Sequence, residues 1–170
     1  LGAAGYDTGF IGKWHVDGRG RSNFIPRERR QGFDYWKALE CTHAYTNSFY
    51  YADDPEKLKW PGYDAEAQTK DACQFLRARA KAEKPFLLYL AWGPPHDPYF
   101  SAPAKYRALY NPATLTLRPN VPEKMAGEVR RILAGYYAHC TALDDSLGVL
   151  LQTLRETGLD QDTILVFSAD

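Results

Sequence analysis

Cysteine is scarce in this sequence, and none of it stands at a metal-ligating spacing. Cys41, Cys73 and Cys140 are far apart and form no Cys-x-x-Cys pair, which argues against a structural zinc site or a redox dithiol. A disulfide is compatible with these thiols, but buried free cysteines are the expectation. Net charge is absent too, because 21 basic and 21 acidic residues cancel. Such a chain has no overall field with which to grip nucleic acid or an anionic membrane, although a local basic pocket stays open to it. No apolar run approaches the roughly 20 residues of a membrane span, and no charged-then-apolar leader stands at the start. Internal repeats and low-complexity tracts are missing as well.

What is present suits a globular enzyme-sized unit. The 170 residues suffice for one domain with a real core, and hydrophobic residues make up 45%. Aromatics reach 14%, with 12 Tyr and 4 Trp; core packing accounts for such residues more often than stacking or carbohydrate-facing surfaces. The chain begins at Leu1 and stops at Asp170 straight after an apolar run, so it reads as an excerpt of a longer protein, cut on both sides.

Three apolar runs predict strands: one around Thr8–Trp14, one over Phe86–Trp92 and one over Thr163–Phe167. The last two are continuous, as strands buried on both faces of a parallel sheet would be. Asp64 is placed to N-cap a helix over about 65–82, with Ala72, Phe75, Leu76 and Ala80 at helical spacing. A longer helix is expected within 123–157, with a stripe of Val129, Leu133, Tyr136, Tyr137, Cys140, Leu143, Leu147, Leu150, Leu151 and Leu154, and Gly158 as its left-handed cap. Helix, short loop and buried strand, repeated, is the pattern of an α/β fold. The segments 17–63 and 93–122 read as long loops, the second ordered by Tyr99, Phe100, Tyr106 and Tyr110.

Ligands in α/β sheets collect beyond the carboxyl ends of the strands. Lys13, His15 and Asp17 follow the first expected strand, His96 and Asp97 the second, and Asp170 the third. A lysine and two histidines suit a tetrahedral anion: the ammonium supplies a compact cation, and an imidazole hydrogen-bonds or passes a proton to a departing oxygen. A strand-end aspartate ligates a hard cation such as Ca²⁺ or Mg²⁺. Together they fit hydrolysis of a sulfate or phosphate ester. Singly, each has an ordinary role: a solvent-facing lysine, a core histidine, a turn residue between prolines, a helix cap.

The joint pattern is more specific. Gly5-Tyr6-Asp7-Thr8-Gly9-Phe10-Ile11-Gly12-Lys13-Trp14-His15 resembles the Gly-Tyr-x-Thr-Gly-x-x-Gly-Lys-Trp-His signature of the sulfatase family. Pro85 through Leu90 followed by Pro94-Pro95-His96-Asp97-Pro98 is similar to a second family segment, and Tyr136 through Asp170 to its long helix and following strand. The segments keep the family's order over 1–170. The resemblance implies an alkaline phosphatase-like α/β sandwich, a mainly parallel sheet flanked by helices, of which residues 1–170 are a partial catalytic domain. It implies that Lys13 binds the sulfate, that His15 contacts a formylglycine nucleophile and helps collapse the sulfated intermediate, and that His96 hydrogen-bonds the sulfate or protonates the leaving oxygen. Asp170 becomes one ligand of a divalent cation, Ca²⁺ in most members with Mg²⁺ as the alternative. Asp97 and the run Arg19, Arg21, Arg27, Arg29 and Arg30 become candidate substrate contacts. The implied partners are a sulfated small molecule or glycan and a formylglycine-generating or sulfatase-maturing enzyme, and the implied location is periplasmic or secreted.

The departures are equally definite. The family makes its nucleophile from the cysteine of Cys-x-Pro/Ala-Ser-Arg. Cys73 has Arg77 at the right offset, but Phe75 and Leu76 replace the inner motif residues, and Cys41 and Cys140 lack the arginine. The nucleophile is therefore expected upstream of Leu1, and this chain alone is expected to be inactive. Two alternatives stay open: a phosphoester or phosphonate ester hydrolase of the same superfamily, and a non-catalytic relative that binds anionic glycans.

Overall fold

A computed structural model describes residues 1–169 of the chain. Strands β1 (Asp7–Lys13), β2 (Tyr35–Leu39), β3 (Phe49–Tyr50) and β4 (Leu58–Lys59) precede helix α1 (Asp64–Arg79), and strand β5 (Phe86–Ala91) is followed by helices α2 (Ala104–Arg107) and α3 (Ala126–Thr157). The sheet is parallel, in the order β2-β1-β5. β3 and β4 form a small antiparallel hairpin, joined to the sheet by a bridge between Ala38 and Tyr51.

β1 is central, and its alternation sorts the core into two layers. Phe10 points to one face, where it packs with Trp14, Ile25, Trp36 and Ala38; Ile11 points to the other, against Ala72, Cys73, Leu76, Leu150 and Leu154 of α1 and α3. Fully burying such side chains stabilises by about 1.5–3 kcal/mol each. Most of the aromatic richness is spent here and in a third cluster, where Tyr45, Tyr63 and Tyr106 pack on Ala138, Ala142 and Leu143 beneath the loops.

Several expectations need correction. Residues 163–169 form no strand, and Ile164, Leu165, Val166 and Phe167 are exposed. An apolar run becomes a strand only when a neighbour accepts its backbone bonds and covers its side chains, and no described residue pairs with this one. The third strand of the sheet is instead β2, inside a segment read as loop; its five residues, Tyr-Trp-Lys-Ala-Leu, are too few to show a period against flanking arginines and glycines. β5 is parallel as expected but only half-buried, with Tyr89 exposed, because it lies at an edge of the three-stranded sheet.

Asp64 does not cap α1. Tyr63 takes the N-cap position, and the Asp64 carboxylate accepts the Ser48 amide (3.3 Å) and hydroxyl instead. The buried face of α3 is also rotated from the expected stripe. Ala134, Gly135, Ala138, His139, Ala142, Leu143, Ser146, Leu150 and Leu154 face inward, while Tyr136 is exposed and Val129, Leu133 and Cys140 are half-buried. Small residues win that face because α3 must approach closely: a Cβ on Gly135 would lie 2.4 Å from the Tyr99 carbonyl oxygen. Gly158 ends the helix with φ 72°, as expected.

Candidate anion-binding site at the strand ends

The parallel register aligns the carboxyl ends of the strands. Gly12 lies opposite both Ala38 and Ala91, and Lys13 opposite Leu39, so residues 14–17, 40–43 and 92–98 leave the sheet along one rim. Gly12 is required there, since its φ is 112° and a Cβ would meet the Ala91 carbonyl oxygen at 2.0 Å. The half-buried Lys13 ends β1. Trp14 turns back into the core, edge-on to Phe10 at 4.8 Å and Trp36 at 5.0 Å, while its amide donates to the Leu39 carbonyl (2.9 Å). His15 then adopts φ 56° and donates its amide to the Glu40 carbonyl (2.9 Å), leaving its side chain exposed at the rim. A left-handed residue other than glycine costs about 1–2 kcal/mol, so this turn is held by its surroundings. The buried Glu40 carboxylate does that, accepting the Asp17 (3.1 Å) and Gly18 (2.9 Å) amides.

The loop after β5 is anchored from beneath. Tyr45 donates its hydroxyl to the Asp97 carbonyl (3.0 Å), and its ring lies where a Cβ on Gly93 would be, 2.7 Å away. His96 Nδ1 lies 2.8 Å from Asp97 Oδ1 and 3.0 Å from the Asp97 carbonyl oxygen. Both partners only accept, so Nδ1 carries the proton and Nε2 is left for an incoming oxygen.

A residue missed in the sequence joins these groups. The half-buried His43, four residues past the end of β2, stacks its ring 4.5 Å from that of His96 at 32°. Arg21 Nη2 lies 3.3 Å from His43 Nε2. Burial holds the His43 pKa below the usual imidazole range, and the nearby charges of His96, Arg21 and Lys13 reinforce this against Asp97. The structure thus gathers Lys13 and His96 around His43. Only knowledge of β2 could have pointed to His43, because a lone histidine in a loop carries no pattern.

The arginine run is mostly structural. Arg27 pairs with Asp34, and Arg29 grips Asp17 through Nε at 2.7 Å and Nη2 at 3.3 Å. Arg30 is buried, bonded to Asp53 (2.8 Å) and the Ile25 and Ala52 carbonyls, with its guanidinium 5.3 Å from the Trp36 ring. Arg21 alone of these is set against the histidines.

Asp170, the expected cation ligand, lies outside the described residues. Among those described, His43, His96 and Asp97 bring three ligand-type atoms within 4.8 Å of one another. Two imidazoles and one carboxylate, with Lys13 and Arg21 adjacent, do not fit a hard cation that wants six to eight oxygens. The charge around them favours an anion. The cysteines are free; Cys41 and Cys73 are buried, Cys140 is half-buried, and Cys73 lies within α1. Among the described residues no helix is long and apolar enough to cross a membrane. A cleft of about 280 Å³ lined by Asp7, Asp34, Tyr35, Phe75 and Arg79 lies at the opposite, amino ends of β1 and β2, away from this chemistry.

The chain is similar to known proteins over nearly its whole length. The sulfatase family profile matches residues 1–170. An ulvan-active sulfatase of Formosa agariphila is 48% identical over 99% of this chain and 33% of its own length, and an endo-4-O-sulfatase of Bacteroides thetaiotaomicron is 27% identical over 98% and 38%. The solved structure of yidJ from Bacteroides fragilis superposes with a TM-score of 0.82 at 26% identity, covering 92% of this chain and 39% of that one. The chain therefore spans about a third of the length of the curated relatives it matches (33% and 38%). With the Gly-Lys-Trp-His segment closing the central strand and the family profile running from end to end, the chain belongs to the sulfatase family.

Proposed function

We propose that the whole protein is a sulfuric ester hydrolase acting on sulfated carbohydrates, and that this chain supplies sulfate-binding and proton-transfer groups to it. The observation that carries this reading is the arrangement at the rim: Lys13 ends β1, His15 follows in a left-handed turn, and His96 sits just beyond the adjacent parallel β5, beside His43. In this reading Lys13 neutralises and orients the sulfate oxygens. His96, its Nδ1–H held by Asp97, gives a proton from Nε2 to the departing sugar oxygen when both ring nitrogens are protonated, and is left as the neutral Nδ1–H tautomer. His15 stands at the side of the nucleophile. Free thiols that are buried or helical, without the Cys-x-Pro/Ala-Ser-Arg motif, support a formylglycine supplied from elsewhere in the protein by a maturing enzyme. Asp170 would hold a divalent cation, whose chemistry is to polarise sulfate oxygens. The carbohydrate substrate is supported by the relatives, one named for ulvan and one as an endo-4-O-sulfatase.

The test is hydrolysis of sulfated saccharides and of an aryl sulfate by the full-length protein, with its formylglycine verified by mass spectrometry. Sulfate release that falls about 10²–10⁴-fold in His15→Ala supports the reading. No activity on any sulfate ester by the verified formylglycine form, or faster release of phosphate than of sulfate, overturns it.

A further inference from the structure

Arg21 and His43 are unused by the reaction just described, yet they stand together at the rim, the arginine exposed and the histidine half-buried. Arg27, Arg29 and Arg30 each face a carboxylate. Arg21 faces an imidazole, 3.3 Å from His43 Nε2, and an imidazole neutralises no charge. Because a guanidinium only donates, Nε2 must accept, which puts the His43 proton on Nδ1 and keeps the ring neutral. The pair therefore presents the remaining Arg21 donors, an undiminished positive charge and one imidazole N–H.

Their placement is fixed from behind. The Arg21 carbonyl accepts the Cys41 amide (3.0 Å) just past β2, and the Ser22 carbonyl accepts the Tyr51 hydroxyl (3.0 Å). His43 is held against His96, ring to ring at 4.5 Å. The acid close to this group, Asp97, is turned to His96, whose Nδ1 lies 2.8 Å from its Oδ1. The pair thus borders the groups assigned to sulfate, and among the described residues no carboxylate lies within ion-pair distance of Arg21.

We propose that Arg21 and His43 form a second oxyanion subsite, beside Lys13 and His96, which takes a carboxylate or a further sulfate carried by the same saccharide. This rests on the sulfated-carbohydrate reading and narrows it to substrates with two anionic groups. Arginine suits the role because its planar fork matches a carboxylate or sulfate bidentately.

The experiment is calorimetric titration of the full-length protein, produced without its maturing enzyme so that ligands are not consumed. Three matched disaccharides are compared: one with a single sulfate, one with that sulfate and a uronic carboxylate, and one with two sulfates. At least one doubly anionic ligand should bind about tenfold tighter than the monosulfate, and Arg21→Gln and His43→Asn should each cut that advantage below about threefold. Circular dichroism checks that both variants fold, and the ratio between ligands is read within each protein. An advantage confined to the carboxylate assigns the subsite to uronic acids, and one confined to the disulfate assigns it to a second sulfate ester. Equal binding of all three by the wild type, or a full advantage retained in Arg21→Gln, overturns the proposal. Failure of the matured protein to hydrolyse sulfate esters would count against the hydrolase reading, whereas the subsite stands or falls on the binding ratio.

Discussion

His139 on α3 donates Nε2–H to the Pro98 carbonyl oxygen at 3.4 Å, tying the long helix to the loop that carries His96. Tyr63 completes the arrangement, its hydroxyl lying 2.6 Å from His139 Nδ1, and Ser101 Oγ lies 3.3 Å from Nε2. Burial favours the neutral ring, and with Nε2–H given to the carbonyl the tyrosine hydroxyl then donates to Nδ1. His139 is fully buried, and burial pushes its pKa below the usual imidazole range.

His139→Leu should cost about 2–4 kcal/mol, since it strands the Tyr63 hydroxyl and the Pro98 carbonyl in the interior. Denaturant unfolding measures this. The depressed pKa also has a sign: the unfolded chain binds the proton more readily, so the stability is present above about pH 6.5 and is lost as pH falls below it. His139→Gln should flatten that acid-side loss while retaining part of the bonding.

Asp64 should act in the opposite direction. Burial pushes its carboxyl up to about 6, only partly offset by the Ser48 hydrogen bonds. The folded state then holds the proton more tightly, so stability falls as pH rises from about 4 to about 6. Asp64→Asn should raise the melting temperature at pH 7.5 by a few degrees, consistent with about 1–2 kcal/mol, and should leave pH 4 nearly unchanged. Melting curves across this range check it, and a variant less stable at pH 7.5 would refute the burial penalty.

Gly12→Ala should destabilise by about 3 kcal/mol or more, because the new methyl would press on the Ala91 carbonyl in a left-handed backbone. The measurable outcome is a large drop in the denaturation midpoint or loss of soluble protein. Gly127→Ala, on an exposed turn of α3 with open space around the new methyl, is the control and should be neutral or better.

Lys13→Gln and His96→Gln should each lower kcat/KM on a sulfate ester by about 10²–10³. Both side chains lie at the rim and not in the core, so melting temperatures should move by no more than a degree or two. A matching collapse of stability would assign these residues a structural role instead.

Much of the fold was legible because it is written locally. The strand Asp7–Lys13, the strand Phe86–Ala91 and the helices near 64–79 and 126–157 followed from apolar runs, spacing and the Gly158 cap. β2 was not legible, since a five-residue strand is shorter than the window in which a period shows. The run 163–167 misled for the converse reason: its hydrophobicity signals a capacity for burial, and partners decide whether that capacity is used. The small-residue face of α3 was hidden by the larger leucines and tyrosines beside it, because hydrophobicity ranks Ala below Leu whatever must fit against the helix.

For the site, the sequence by itself set Lys13, His15 and His96 at strand ends, in a segment order that identifies the sulfatase family. Only the tertiary structure decided which groups share a rim. It brought in His43 through β2, set Arg21 against it at 3.3 Å, and consumed Arg27, Arg29 and Arg30 in ion pairs. The reason is physical. A motif lies within a few residues of chain, whereas an electrostatic neighbourhood is set by through-space distances between strands that only the parallel register fixes.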